Sequence, residues 1–353
     1  MTLQHRRKVK IVVDENIPFI REALSELADE VVAKAGGEIC PADVRDATIL
    51  VVRTRTRCDR SLLEGSRVRL VVTATIGFDH LDTEYLKSAG IEWYNCPGCN
   101  ATSVAQYVKN CLLLLQRDRH LDLSRSTMGI IGVGHVGTAV MYAALELGIG
   151  QLLLNDPPRE ANGENPDNGL SWTDFSTLVA ESDIISVHTP LITNGSFPTL
   201  HLLNHHSFSL MRRRPVIINT GRGGLVDEKA LENAMDSLSV GEVIIDTWEN
   251  EPHVNRSLLY KVYIGTPHIA GYSADGKANA TRMTLAAICR FLRRPMSYNI
   301  QPPSLPDTFT LNSDPDVLAL QLYNPMEDSL RLRAHPEHFE QLRSAYPLRR
   351  EHL

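Results

Sequence analysis

Apolar residues in the first hundred positions come in short unbroken runs, not in alternation with polar ones. VKIVVDE (9–15), ATILVVRT (47–54) and VRLVVTAT (68–75) place Val, Ile and Leu side by side. Such runs predict strands covered on both faces, as in a parallel α/β sheet. PFIREALSELA, after the first run, has helical spacing, and SVAQYVKNCLLLLQRD (103–118) predicts a long helix with a broad apolar face. A second series follows at TMGIIGVG, QLLLND, DIISVHT, PVIINTG and EVIIDTW, again separated by helical or loop segments. Strand alternating with helix predicts a doubly wound fold. Past about residue 296 the texture changes to MSYNIQPPSLPDTFTLNSDPD, a linker-like stretch rich in Pro, Asn, Ser and Asp. The charged tail beyond it offers helices at DVLALQLYN and PEHFEQLRSAY, too little to fold alone, so it is expected to pack on another surface.

The most specific local pattern is Gly132-x-Gly134-x-x-Gly137, directly after one strand and at the start of a helix. The first glycine permits a tight turn, the second lets a pyrophosphate approach the backbone, and the third allows close helix–strand packing. Free N–H groups at the helix start suit the phosphates. The next strand ends in Asp156, placed to accept hydrogen bonds from ribose hydroxyls and to repel a 2′-phosphate, which favours NAD over NADP.

Three later stretches put reactive side chains at predicted strand ends: Arg222 in IINTGRGG, Asp246 and Glu251 in IIDTWENEP, and His268 in GTPHIAGYS. Oxidation of a hydroxy acid needs a base, a cation for the carboxylate and a group that tunes the base. His268 suits the first role, Arg222 the second by bidentate bonding, and Glu251 the third. Singly, each has an ordinary structural reading; their order and context give them weight. A set of 43% hydrophobic and 22% charged residues is that of a globular protein, and a net charge of -6 gives no sign of nucleic-acid binding. Runs such as CLLLL (111–115) are too short to span a bilayer, and the basic start lacks the apolar core of a secretion signal. Six scattered cysteines suggest a reducing cytoplasm. Two of them, Cys96 and Cys99, have the spacing of a zinc knuckle or a redox pair, although no second pair of ligands accompanies them.

The glycine fingerprint, INTGRGG, DTWENEP and TPHIAG, in this order, resemble the NAD-dependent D-2-hydroxyacid dehydrogenase family over roughly residues 8 to 290. The resemblance implies catalysis by Arg222, Glu251 and His268. It implies two doubly wound parallel-sheet domains, with a Rossmann NAD domain (103–269) inserted in a flavodoxin-like substrate domain (1–102 and 270–292). Residues 293–353 would form an abbreviated C-terminal dimerisation segment, giving a homodimer. NAD contacts are implied at Gly132, Gly134, His135, Val136 and Gly137, at Asp156 and Thr189, at Thr220, Gly221 and Arg222, and at Asp246 and Gly271. No metal is called for, and PGCNA becomes the crossing between domains with incidental cysteines. KIVVDENIPFIREAL, VRTRT, TATIGFDHLD and GTPHIAGYSADGKA resemble a branch of the family acting on a phosphorylated 2-hydroxy acid, with substrate contacts implied at Thr54, Thr75 and Tyr272. Thr75-Ile76-Gly77 can offer backbone N–H groups to a carboxylate, and Arg53 a grip for a distal phosphate. Gln106 departs from the Glu more usual at its place, which suggests an effect on helix capping or a hinge contact. The rival readings are another D-2-hydroxyacid dehydrogenase, for phosphoglycerate or hydroxypyruvate and glyoxylate, and an NAD-sensing corepressor-like protein without turnover.

Overall fold

The computed structural model describes residues 8–296, 298–305, 309 and 312–352. The chain forms two compact units, one of residues 1–100 and 274–304, the other of residues 101–273 and 305–353. In the first unit, strands β1 (Lys10–Asp14), β2 (Glu30–Lys34), β3 (Ile49–Val52), β4 (Leu70–Thr73) and β5 (Glu92–Tyr94) pair in parallel in the order β2-β1-β3-β4-β5. This is the flavodoxin-like order. Successive residues of β1 serve opposite cores, as period-2 geometry requires. Ile11 and Val13 pack with Leu285 and Ile288 of the helix Ala274–Leu292, whereas Val12 packs with Val44, Leu62 and Leu86. The runs predicted as strands are therefore buried from both sides. β2 and β5 escaped the sequence reading because they are edge strands that mix polar with half-buried apolar residues.

The second unit contains β6 (Thr127–Ile131), β7 (Gln151–Asn155), β8 (Ile184–Val187), β9 (Val216–Asn219), β10 (Val243–Ile245) and β11 (Ile264–Gly265), all parallel, in the order β11-β10-β9-β8-β6-β7. Beyond β7 lies a single parallel bridge, Leu154 with Trp172, backed by Thr173 N–H on the Leu154 carbonyl at 2.7 Å. Counting that bridge as a reduced third strand recovers the Rossmann order with β11 added at the far edge. The helix Ala101–Arg119 buries Tyr107, Cys111 and Leu114 against Met128, Ile130, Ile218 and Ile244.

From residue 305 the tail belongs to this unit. Asn110 donates to the carbonyls of Ala319 (3.1 Å) and Tyr323 (2.6 Å), and Gly265 N–H donates to Ser329 Oγ at 2.9 Å, covering the edge strand β11. The helix Pro325–Ala334, which holds Ser329, was not foreseen, since its apolar residues are few among charged ones. Gln106 is a clasp and not a cap: it donates to the Arg350 carbonyl at 2.9 Å and accepts from Arg349 Nε at 3.0 Å.

Among the described residues no helix is long and apolar enough to cross a membrane. None of the six cysteines forms a disulfide. Cys96 Sγ is buried against the Thr73 and Ala280 carbonyls (3.5 and 3.4 Å), and burial pushes its thiol up to about 11. That environment suppresses the thiolate a redox pair would need.

Candidate active site

The cofactor loop fits a dinucleotide glycine by glycine. Gly132 has φ 84°, a conformation other residues rarely adopt, and a Cβ there would lie 2.7 Å from Thr189 Cγ2. A Cβ on Gly137 would collide with the Gly132 carbonyl oxygen, whereas one on Gly134 would meet no protein atom within 4 Å. Gly134 and His135 are exposed at the head of the helix His135–Glu146, leaving open the approach a pyrophosphate needs, while Val136 is half-buried beside them. Asp156 accepts from Val133 N–H at 2.8 Å through one oxygen and from Arg159 N–H at 3.2 Å through the other, which ties the strand end to the glycine loop. Thr189 Oγ1 is buried without a hydrogen-bond partner. An orphaned buried hydroxyl beside the glycine loop is a donor waiting for a ligand acceptor.

His188, not foreseen from the sequence, stands between Ser186 Oγ (Nε2, 2.8 Å) and Thr220 Oγ1 (Nδ1, 3.1 Å). Burial pushes it down to about 3, so it is a neutral bracket for Thr220. After β9, Gly221 N–H rests on Asn219 Oδ1 at 3.1 Å, and Arg222 Nη1 donates to the Gly221 carbonyl at 2.8 Å. Asn219 Nδ2 reaches the carbonyls of both Arg222 (3.2 Å) and Thr247 (3.3 Å), which holds the arginine loop beside the loop after β10. Gly223 lies so close to the Trp248 carbonyl that a Cβ would overlap it.

The loop after β10 carries the acid of the site. Glu251 Oε1 accepts Trp248 N–H at 3.0 Å, and Oε2 meets His268 Nδ1 at 2.8 Å. Burial would raise the Glu251 carboxyl, but the His268 hydrogen bond and charge hold it below its ordinary value. Bonding Nδ1 to a carboxylate orients the ring and leaves Nε2 outside that bond. His268 has φ 57°, in the left-handed region, and its N–H donates to the Asp246 carbonyl at 2.9 Å. Asp246 is itself buried, accepting from Thr266 Oγ1 (2.6 Å), Ile269 N–H (2.8 Å) and Ala270 N–H (2.9 Å). It shapes the turn that presents His268. Burial raises its carboxyl above the ordinary range, with His268 opposing. Gly271 and Tyr272 follow in the same turn, and the Tyr272 ring meets Tyr346 edge-on at 6.2 Å. Glu251 and His268 are thus directly bonded, while Asn219 ties the backbone of Arg222 to the loop after β10 and the guanidinium bonds the Gly221 carbonyl.

In the first unit, Thr54 is exposed and Arg53 Nε donates to the buried Asp14 carboxylate at 3.2 Å. Thr75 follows β4, with Oγ1 2.7 Å from Thr73 Oγ1 and donating to the Gly77 carbonyl at 2.8 Å. Among the described residues one group, His335, Glu337 and His338, stands close enough to share a metal ion. All three are exposed, and none belongs to the residues gathered above.

Residues 103–270 match the model of the D-isomer specific 2-hydroxyacid dehydrogenase, NAD binding domain. The chain is 49% identical to the erythronate-4-phosphate dehydrogenase of Bacteroides thetaiotaomicron over 343 residues, 97% of each chain. It is 42% identical to that of Porphyromonas gingivalis, over 97% of this chain and 94% of the relative. The D-lactate dehydrogenase of Aquifex aeolicus with NAD and lactic acid has a TM-score of 0.63 at 26% identity, covering 80% of this chain and 95% of its own. The NAD+-bound 3-phosphoglycerate dehydrogenase of Entamoeba histolytica, at 24% identity and TM-score 0.65, covers 81% and 96% and shares the fold. The chain belongs to the D-isomer specific 2-hydroxyacid dehydrogenase family, on the branch formed by the erythronate-4-phosphate dehydrogenases.

Proposed function

We propose that the protein oxidises 4-phospho-D-erythronate at C2 to 3-hydroxy-2-oxo-4-phosphooxybutanoate, a step toward pyridoxal 5′-phosphate. The observation that carries this reading is the Glu251–His268 bond at 2.8 Å, in a chain that matches an erythronate-4-phosphate dehydrogenase over 97% of its length. His268 takes the C2 hydroxyl proton on Nε2 while Glu251 steadies the imidazolium through Nδ1. Arg222 grips the C1 carboxylate and turns the C2 hydrogen toward the nicotinamide. NAD, when bound, accepts the hydride from C2. Gly132, Gly134, His135, Val136 and Gly137 would cradle its pyrophosphate and Asp156 would hold its ribose. Thr189, Thr220, Gly221, Asp246 and Gly271 would supply the remaining NAD contacts. Thr54, Thr75, Arg53 and Tyr272 are the proposed substrate contacts, assigning residues 1–102 and 270–292 to substrate and 103–269 to cofactor. The directly bonded acid–base pair is machinery that a non-catalytic NAD sensor has no use for. Exposed Val317 and Leu330 on the tail, and Tyr260 against it, support a homodimer through residues 293–353. Six cysteines outside any disulfide support a cytoplasmic setting.

The test is NADH formation on 4-phosphoerythronate beside 3-phosphoglycerate and glycerate. Equal or better activity on the latter two refutes the substrate assignment. His268→Ala is expected to lose turnover while still binding NAD, and unchanged turnover removes His268 from the mechanism.

A further inference from the structure

Besides His268, Glu251 has a cationic neighbour. Arg343, on the tail helix Phe339–Ser344, puts Nη1 3.8 Å from Glu251 Oε2, the oxygen that holds His268. The same nitrogen lies 3.9 Å from Glu340 Oε1. Both separations exceed hydrogen-bond length, so the two carboxylates attract the guanidinium without consuming its donors. Tyr272 engages it from the turn after His268, and its Nε is buried with no hydrogen-bond partner. A planar cation with a buried N–H unspent is costly in the free protein and suited to a bidentate anion.

Substrate chemistry calls for such a group. The proposed substrate carries two anions, and Arg222 is placed for only the C1 carboxylate. Arg53 already commits Nε to the buried Asp14 carboxylate at 3.2 Å. Part of this chain is shared with this branch and not with every solved relative of the fold. The D-lactate dehydrogenase structure covers 80% of this chain and 95% of its own, leaving about a fifth of this chain without counterpart, whereas the Bacteroides relative matches 97%.

We propose that Arg343 binds the distal phosphate of the hydroxy acid held at His268, an assignment that rests on the substrate reading above. Wild type, Arg343→Lys and Arg343→Met are compared with NAD on 4-phosphoerythronate and on unphosphorylated erythronate. Loss of one charge-assisted bidentate contact is expected to lower kcat/KM for the phosphoester about 10- to 100-fold more than for erythronate, mainly through KM. Lysine should recover part of that difference. Equal losses on the two acids would assign Arg343 to Glu251 alone and overturn the proposal, as would no loss at all. A second readout needs no turnover: calorimetric titration of the NAD-loaded protein with inorganic phosphate. Wild type should bind it at least tenfold more tightly than Arg343→Met; equal affinity, or no binding to wild type, overturns the proposal. Preference for 3-phosphoglycerate or glycerate in the activity assay would sink the substrate reading and leave the phosphate titration to decide Arg343.

Discussion

Replacing Arg349 by methionine should damage stability and turnover together. The buried guanidinium spends all five of its N–H donors. Nε donates to Gln106 Oε1 (3.0 Å), Nη1 to the Ile269 (3.0 Å) and Tyr272 (2.6 Å) carbonyls, and Nη2 to those of Ser103 (3.2 Å) and Ala270 (2.5 Å). Its Cζ lies 3.9 Å from the Tyr323 ring centroid. Methionine fills much of the same volume, so the loss is chiefly polar. Bonds to a charged donor are worth about 1.5–3 kcal/mol each. Five such bonds would overcount, because burying the guanidinium costs several kcal/mol that methionine avoids. The net expected loss is about 3–5 kcal/mol.

Urea unfolding at pH 7 reads that loss as a lower midpoint. Three of the orphaned carbonyls belong to the turn after His268, so kcat at a temperature where the variant remains folded should fall at least tenfold. Arg349→Lys, with three donors, should lie between. A stability loss below about 1 kcal/mol would show that the five bonds barely exceed their desolvation cost. Normal kcat in a destabilised variant would show that the turn keeps its shape without Arg349. Either result refutes the reasoning.

Glu228 gives a pH signature. It is buried, accepts Glu249 N–H at 2.9 Å, and is pushed up to about 7 by burial, with the neighbouring Glu249, Glu232 and Glu251 carboxylates adding to the shift and the Glu249 N–H opposing it. The folded protein keeps this proton up to about pH 7, whereas the unfolded carboxyl releases it near 4.5. Its contribution to stability is therefore full below about pH 4.5 and declines as pH rises toward 7. Glu228→Gln, which mimics the protonated form, should be more stable than wild type by about 1–3 kcal/mol at pH 8 and nearly equal at pH 5; a pH-independent difference in melting would contradict this. The glycine loop supplies a paired test. Gly137→Ala should lower both melting temperature and NAD affinity, while Gly134→Ala should weaken NAD binding in fluorescence titration with the melting temperature held. Intact NAD binding in Gly134→Ala would remove the pyrophosphate from that position.

The central strands were legible because burial on both faces forces consecutive apolar residues, as in Ile49–Val52 and Val216–Asn219. Edge elements were not, since one exposed side permits residues such as Glu30 and Glu92. The glycine loop was legible because backbone geometry there excludes side chains, a constraint visible in the residue type alone. The residues that hold the site were hidden for the opposite reason. Asn219, His188 and Arg349 act through hydrogen bonds between segments far apart in the chain, and nothing in their local spacing marks them. Gln106 was noticed as a departure, but its partner stands 243 residues away, so its role as a clasp could not be read from the helix start.

The backbone of His268 explains why so much hydrogen bonding converges on one turn. A bulky residue at φ 57° costs about 1–3 kcal/mol and persists only where its surroundings over-determine it. Four constraints meet here: the Asp246 carbonyl on His268 N–H, the Asp246 carboxylate on Ile269 and Ala270, Glu251 on Nδ1, and Arg349 on the Ile269, Ala270 and Tyr272 carbonyls. Asp246 comes from the end of β10 and Arg349 from the far end of the tail, so the turn is gripped through its amides from one side and its carbonyls from the other. A left-handed histidine aims its ring differently from one in an extended strand. That geometry lets Nδ1 reach Glu251, which leaves the proposed proton transfer to Nε2. The tail is therefore part of what keeps His268, the proposed base, in place, which is why changes at Arg349 should be felt in kcat and not in stability alone.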